Sequence, residues 1–257
     1  MQPFLLITDL DHTLVGDDSA LEVLNSLLEE HRQSYGTHIV YSTGRSLYLY
    51  RQLTRERRLL TPDVLICGVG TEIYYRDHNV PDAAWSRKLS HKWDRDVVSS
   101  VADRFAALSP QPEHEQNPFK ASYYLPEQAS VEVLPKLEIQ LEAQGLEVQA
   151  IYSGGEDLDI LPSGANKGMA MTYVCQSLNI DPLHTIACGD SGNDLALFEN
   201  REERGIIVSN AKPELLGWHH ANFNPNRYLS KAGYARGILE GLEHFGFLSA
   251  TESTTVA

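Results

Sequence analysis

Two short segments of the chain carry carboxylates at spacings suited to phosphate chemistry. F-L-L-I-T-D-L-D-H-T-L places Asp9 and Asp11 at the end of one apolar run. T-I-A-C-G-D-S-G-N-D places Asp190 and Asp194 at the end of another. Apolar runs of this kind read as buried parallel strands. Ligands of open α/β sheets bind just beyond the carboxyl ends of such strands. Four carboxylates from two strands would therefore share one crevice, where they repel one another unless a hard divalent cation such as Mg²⁺ sits among them.

In extended chain, residues i and i+2 point to the same side, so Asp9 and Asp11 can face one ligand. One can attack phosphorus and the other can move a proton. The same pair also reads as strand-end aspartates capping a loop, and the two residues alone leave both readings open. Gly189–Asp194 is more specific: its glycines let backbone approach a ligand, and Ser191 and Asn193 lie between two acids. Asp190 stands where a metal ligand would, with Asp194, Ser191 and Asn193 in support. An N-cap would explain one of these residues but not the hexapeptide. Thr43 in S-T-G-R could hold a phosphate at a helix amino terminus or simply cap it. Lys167 opposes the dipole of the helix it starts, which a bound phosphate would explain, though an exposed lysine there would cost little. Arg45 reads equally as a phosphate contact or as the partner of an acid.

The elements that must position these groups alternate along the chain. A strand near residue 5, a helix through Ala20, Leu24 and Leu28, a strand at 37–42, a helix through Leu49 and Leu53, and a strand at 64–69 predict a parallel sheet with helices on both faces. The pattern then changes to a helix near 87–108, a strand at 121–125, a helix near 131–144, and strands near 147–153 and 157–161. The first pattern resumes with a helix from Asn166, strands at 185–189 and 205–208, and helices near 192–199 and 233–245. The expected organisation is an α/β core at 1–79 and 160–248, doubly wound and mainly parallel, with an α+β cap inserted at 80–159. Residues 249–257, rich in Ser and Thr, read as a flexible tail.

Composition narrows the function. There are 257 residues, and 21 basic against 35 acidic side chains give a net charge of −14, which argues against nucleic acid as a partner. Three widely spaced cysteines argue against a disulfide framework. The first strand begins within three residues of the amino terminus, and no apolar stretch approaches the ~20 residues that span a bilayer. A cytoplasmic, membrane-free protein is expected, and a monomer.

D-L-D-H-T, S-T-G-R, N-K-G and G-D-S-G-N-D, in that order, resemble the four motifs of the haloacid-dehalogenase superfamily of phosphatases. G-V-G-T-E-I-Y-Y, E-Q-N-P-F-K-A-S-Y and D-L-D-I-L-P further resemble the sucrose-phosphate phosphatases of cyanobacteria and plants. The resemblance implies a Rossmann-like core and Mg²⁺-dependent hydrolysis of sucrose 6-phosphate through a phosphoaspartyl intermediate. It implies Asp9 as nucleophile, Asp11 as general acid and base, and Thr43 and Lys167 on the phosphoryl oxygens. Mg²⁺ would be held by Asp9, the Asp11 main-chain carbonyl and Asp190. Gly44 and Arg45 are expected at the substrate, with Gln116, Asn117, Lys120, Ser122, Asp157 and Asp159 reading the sugar and Glu72 facing them. Two alternatives are a phosphatase for another sugar phosphate and a non-catalytic module that docks to a sucrose-phosphate synthase.

Overall fold

The structure is a computed structural model that describes residues 2–76 and 78–249. Its first unit is β1 (Leu5–Thr8), α1 (Asp18–Tyr35), β2 (His38–Ser42), α2 (Leu47–Glu56), β3 (Val64–Cys67) and β4 (Glu72–Tyr75). Then come α3 (Ala83–Leu89), α4 (Arg95–Ala102), β5 (Ser109–Pro110), β6 (Ala121–Tyr124), α5 (Glu127–Glu142), β7 (Val148–Ser153) and β8 (Asp157–Pro162). The chain closes with α6 (Lys167–Leu178), β9 (Thr185–Gly189), α7 (Leu195–Phe198), β10 (Arg204–Ile207), α8 (Pro213–Ala221), β11 (Arg227–Leu229) and α9 (Tyr234–His244).

Among the described residues the large sheet has seven strands in the order β11-β10-β9-β1-β2-β3-β4. All pairs are parallel except β3 with β4. One face packs Leu6, Leu10, Leu24, Tyr41 and Leu242; the other packs Ile7, Val40, Ile66, Met171 and Leu215. Burial on both faces is what a continuous apolar run such as Leu5-Leu6-Ile7 requires. β1 lies between β2 and β9, so the chain leaves it in one direction first and returns on the other side later. That switch point opens a crevice at the carboxyl ends of β1 and β9.

The smaller sheet, β5-β6-β8-β7, is antiparallel and packs Leu158 and Ile160 of β8 against α4 and α5, where Leu137 of α5 faces them. Two expectations differ here. The single helix expected near 87–108 is broken, because Lys92 takes a left-handed φ of 48° and Asp94 caps a new start through Asp96 N and Val97 N. The expected boundaries at 79/80 and 159/160 are also crossed. Trp85 of α3 packs under the large sheet and donates its indole N–H to Gly70 O, and β8 runs on to Pro162. β4, α8 and β11 carry no periodic signal long enough to be expected from sequence. Of the expected tail, 250–257 lie outside the described residues.

Candidate active site

The end of β1 sets the first carboxylate. Asp9 N donates to Cys188 O at 3.0 Å, so Asp9 continues the ladder and aims its side chain into the switch-point crevice. Lys167 enters from the first turn of α6, which Asn166 caps through Met169 N. Its ammonium is fully buried and donates to Asp9 Oδ1 and Asp194 Oδ1, both at 2.6 Å. Gly70 makes this approach possible. It holds φ at +95°, and a Cβ there would lie 2.4 Å from the Asn166 carbonyl and 2.9 Å from Lys167 N.

Oxygens of Asp9, Asp190 and Asp194 lie within 4.8 Å of one another. Burial raises the Asp9 carboxyl well above its ordinary range; Lys167 opposes this, while Asp194 and Asp190 add to it. Asp190 is pushed up to about 7 by burial and then by Asp194, with Thr13, Lys167 and Lys212 pulling the other way. Burial also works against the Lys167 charge, but Asp194 and Asp9 outweigh it and hold the ammonium above its ordinary value. Three acids facing one ammonium leave an excess of negative charge on hard oxygen donors. This is a set that a divalent cation fits.

The three acids are not equivalent. Asp194 is fully buried, with one oxygen on Lys167 and the other accepting from Asp190 N at 2.9 Å and Ser191 N at 3.1 Å. Protein donors thus occupy both its oxygens, and it holds the loop and Lys167 in place. Asp9 and Asp190 line the open cavity, and Asp194 does not. Thr13 Oγ1 donates to Asp190 Oδ1 at 2.8 Å and fixes that side chain.

The cavity measures about 510 Å³ between the two sheets. From the core it is lined by Asp9, Asp11, Gly44, Arg45, Asp190, Ser191 and Asn193, and from the smaller sheet by Lys120, Asp157 and Asp159. Lys120 Nζ lies 3.2 Å from Asp159 Oδ1, and Ser122 Oγ donates to the same oxygen at 2.6 Å. Asp157 accepts from Gln111 Nε2 at 2.8 Å, and its carboxyl is raised by burial and then by Asp159 and Glu156.

Other expected site residues are engaged by partners of their own. Thr43 is buried and does not line the cavity; its N–H donates to Ile66 O and its hydroxyl accepts from Arg45 N. It is not at a helix start, since Ser46 caps α2 three residues later. Gln116 is consumed inside the cap, bonded to Gln111 O, Ser122 O, Ser122 N and Arg95, and opens onto a separate cleft. Asn117 Nδ2 donates to Thr71 Oγ1 and ties cap to core. Glu72 is half-buried outside the cavity lining, with its carboxyl raised first by burial. Ser122 acts through Asp159 rather than by facing the cavity. Arg45 pairs with Asp11: Nε donates to Oδ2 at 2.6 Å and Nη2 to Oδ1 at 2.8 Å.

Sequence reasoning missed Lys212, Gln111, Glu115, Ser153 and Glu156, which also line the cavity. Lys212 was findable. It follows β10, so it sits beyond the carboxyl end of a parallel strand, and its N–H donates to Asp190 O at 2.7 Å. The cap residues carried no such signal, because their place depends on how the small sheet sits over the large one.

Comparison with known proteins supplies the kinship. The sequence profile of the sucrose-6F-phosphate phosphohydrolase family matches residues 2–246. The chain belongs to that family. It is 44% identical to probable sucrose-phosphatase 2 of Arabidopsis thaliana over 94% of its own length and 59% of that protein's. The chain thus spans about three-fifths of the plant relatives it matches. It is 35% identical to mannosylfructose-phosphate phosphatase of Agrobacterium fabrum, covering 96% of this chain and 98% of that one. A crystal structure of the sucrose-phosphatase from Synechocystis sp., in complex with sucrose and phosphate, superposes with a TM-score of 0.89 at 43% identity. That match covers 95% of this chain and 98% of the other, so the family relation includes the cap as well as the core.

Proposed function

We propose that this member of the family hydrolyses sucrose 6-phosphate to sucrose and phosphate. The observation that carries the reading is the buried Asp9–Lys167 pair at the base of a cavity whose far wall is the polar Lys120–Asp159 pair of the cap. A phosphoryl group on Asp9 would meet the Lys167 ammonium, a fixed positive charge that needs no reorganisation as negative charge shifts on the oxygens. Asp9 attacks phosphorus in line and becomes a phosphoaspartate. Asp11 protonates the departing sugar oxygen and later takes a proton from the attacking water. Asp194 holds Lys167, and with Thr13 it fixes the loop that presents Asp190. Lys120, Asp157 and Asp159 offer charged donors and acceptors to sugar hydroxyls, and the cap shields the site from bulk solvent while the sugar is bound.

Mg²⁺ fits the crowded oxygens of this site, where Asp9, Asp190 and the Asp11 main-chain carbonyl would hold it. When bound it supplies positive charge against the phosphoryl oxygens. The cap is read as the part of the chain from α4 to β8, with α3 belonging to the core.

The test is phosphate release from a panel that includes sucrose 6-phosphate, mannosylfructose phosphate, glucose 6-phosphate and fructose 6-phosphate, with Mg²⁺ present. The proposal expects kcat/KM highest for sucrose 6-phosphate and essentially no turnover by Asp9→Asn. A higher kcat/KM for mannosylfructose phosphate would transfer the assignment to that disaccharide. Normal turnover by Asp9→Asn would remove the covalent route.

A further inference from the structure

Arg45 occupies both oxygens of the residue read as the general acid and base. The guanidinium meets the Asp11 carboxylate fork to fork, at 2.6 and 2.8 Å. Two parallel charge-assisted bonds of this kind are strong and directional. In a carboxylate held so, both oxygens point at the guanidinium. Neither is free to turn toward a leaving oxygen. Asp11 is also absent from the group of three acids whose oxygens converge near Lys167. In this arrangement the attacking residue and its ammonium are assembled, and the proton carrier is held apart.

The two halves of Arg45 are held differently. Its backbone is fixed: the N–H donates to Thr43 Oγ1 at 3.1 Å, and the carbonyl accepts from Gly68 N at 3.0 Å. Its side chain lies at the cavity wall and keeps 29% of its surface exposed. A long cationic side chain on a fixed backbone can exchange partners without disturbing the core. A second acceptor is at hand. Glu115, in the cap turn Glu113–Glu115, lines the same cavity, and after Asp11 its charge is the next largest acting on Arg45 from another residue. The neighbouring His114 ring lies 5.9 Å from that of Tyr48 on α2, so this cap turn already rests beside the helix that follows Arg45. A sugar held between Lys120, Asp159 and the core would draw the same turn inward.

We propose that Arg45 is a positioning residue that withholds Asp11 until a sugar closes the cap. It then passes to Glu115 and lets Asp11 turn to the phosphoryl group. This rests on the phosphatase reading above and adds to it a link between sugar recognition and proton transfer. The enzyme would thereby be slow on phosphate esters too small to reach the cap, beyond what weak binding alone imposes.

The test combines kinetics with a structure. Arg45→Gln cannot hold both Asp11 oxygens. With Mg²⁺ present it is expected to raise kcat for a short alkyl phosphate about fivefold, roughly the effect of releasing one partly exposed ion pair. On sucrose 6-phosphate its kcat is expected to stay level or fall. Glu115→Gln is expected to lower kcat for sucrose 6-phosphate with little change in KM, and to have no further effect when combined with Arg45→Gln. A fall of equal size on both substrates, with KM raised, would make Arg45 a plain phosphate ligand and overturn the proposal. A crystal structure of the unaltered protein with sucrose and inorganic phosphate gives an answer independent of turnover. Arg45 on Glu115 and Asp11 turned toward phosphate is the expected result; an intact Arg45–Asp11 pair in a closed cap overturns it. Absence of hydrolysis on every sugar phosphate would instead remove the functional reading, so the two failures are distinct.

Discussion

Asp9→Asn and Asp194→Asn make the same chemical change a few ångströms apart, and the structure gives them opposite effects on stability. Asp9 faces two like charges within 4.8 Å and one ammonium at 2.6 Å. At an effective dielectric constant of about 20, each repulsion is ~3–4 kcal/mol and the attraction ~6 kcal/mol. These nearly cancel and leave the burial of a carboxylate uncompensated, in line with its raised pKa. An asparagine keeps an oxygen for Lys167 and removes that cost. In metal-free protein Asp9→Asn should stabilise by roughly 1–2 kcal/mol, which for a chain of this size raises the melting temperature about 2–8 °C. Asp194 has the same charged neighbours but also accepts from the N–H groups of Asp190 and Ser191. An asparagine there must turn an amide N–H₂ toward either an ammonium or two main-chain donors. Breaking such a buried arrangement costs about 3–5 kcal/mol, or about 6–20 °C of melting temperature. The assay is thermal unfolding of both variants in a chelator and again with Mg²⁺, where the unaltered protein should gain and Asp9→Asn should not. Similar losses for both variants in the chelator would refute the view that Asp194 is tied down by the backbone and Asp9 is held ready for ligand.

The Asp190 carboxyl, pushed up to about 7, gives a pH signature. Its folded-state pKa lies above the unfolded value, so metal-free stability should fall as pH rises from about 4 to 7 and level off above, and the stabilisation by Mg²⁺ should grow over the same window; a metal effect independent of pH would contradict this. Lys120→Ala removes a charged donor from the cavity wall, so kcat/KM for sucrose 6-phosphate should fall about 10- to 100-fold while a short alkyl phosphate is affected much less. It also strands Asp159, so the comparison belongs well below the variant's melting temperature, and equal losses on both substrates would remove the sugar-reading role. Gly70→Ala places a methyl against the Asn166 carbonyl at a φ of +95°, so both soluble yield and phosphate release should drop sharply, and a variant with normal activity would show that the approach of this loop to Lys167 is not needed.

What the sequence determined by itself is the core and the base of the site. Apolar runs ending in Asp9 and Asp190 read as buried parallel strands, whose carboxyl ends lie on one edge of the sheet, and the structure pairs the two strands side by side. Lys167 stood out as a cation at the start of a helix, which a bound phosphate would explain; the structure shows it fully buried and paired with Asp9 and Asp194. Local chemistry fixes all of this within a few residues. The tertiary structure alone decided which polar residues of the smaller sheet face the cavity. Gln116, Asn117, Lys120 and Ser122 are near neighbours of similar polarity, yet the pleat and the turn at 117–120 send Lys120 to the cavity and spend Gln116 on backbone groups. The Arg45–Asp11 pair, 34 positions apart, was equally hidden, because a salt bridge depends on where two loops meet and leaves no periodic trace in either.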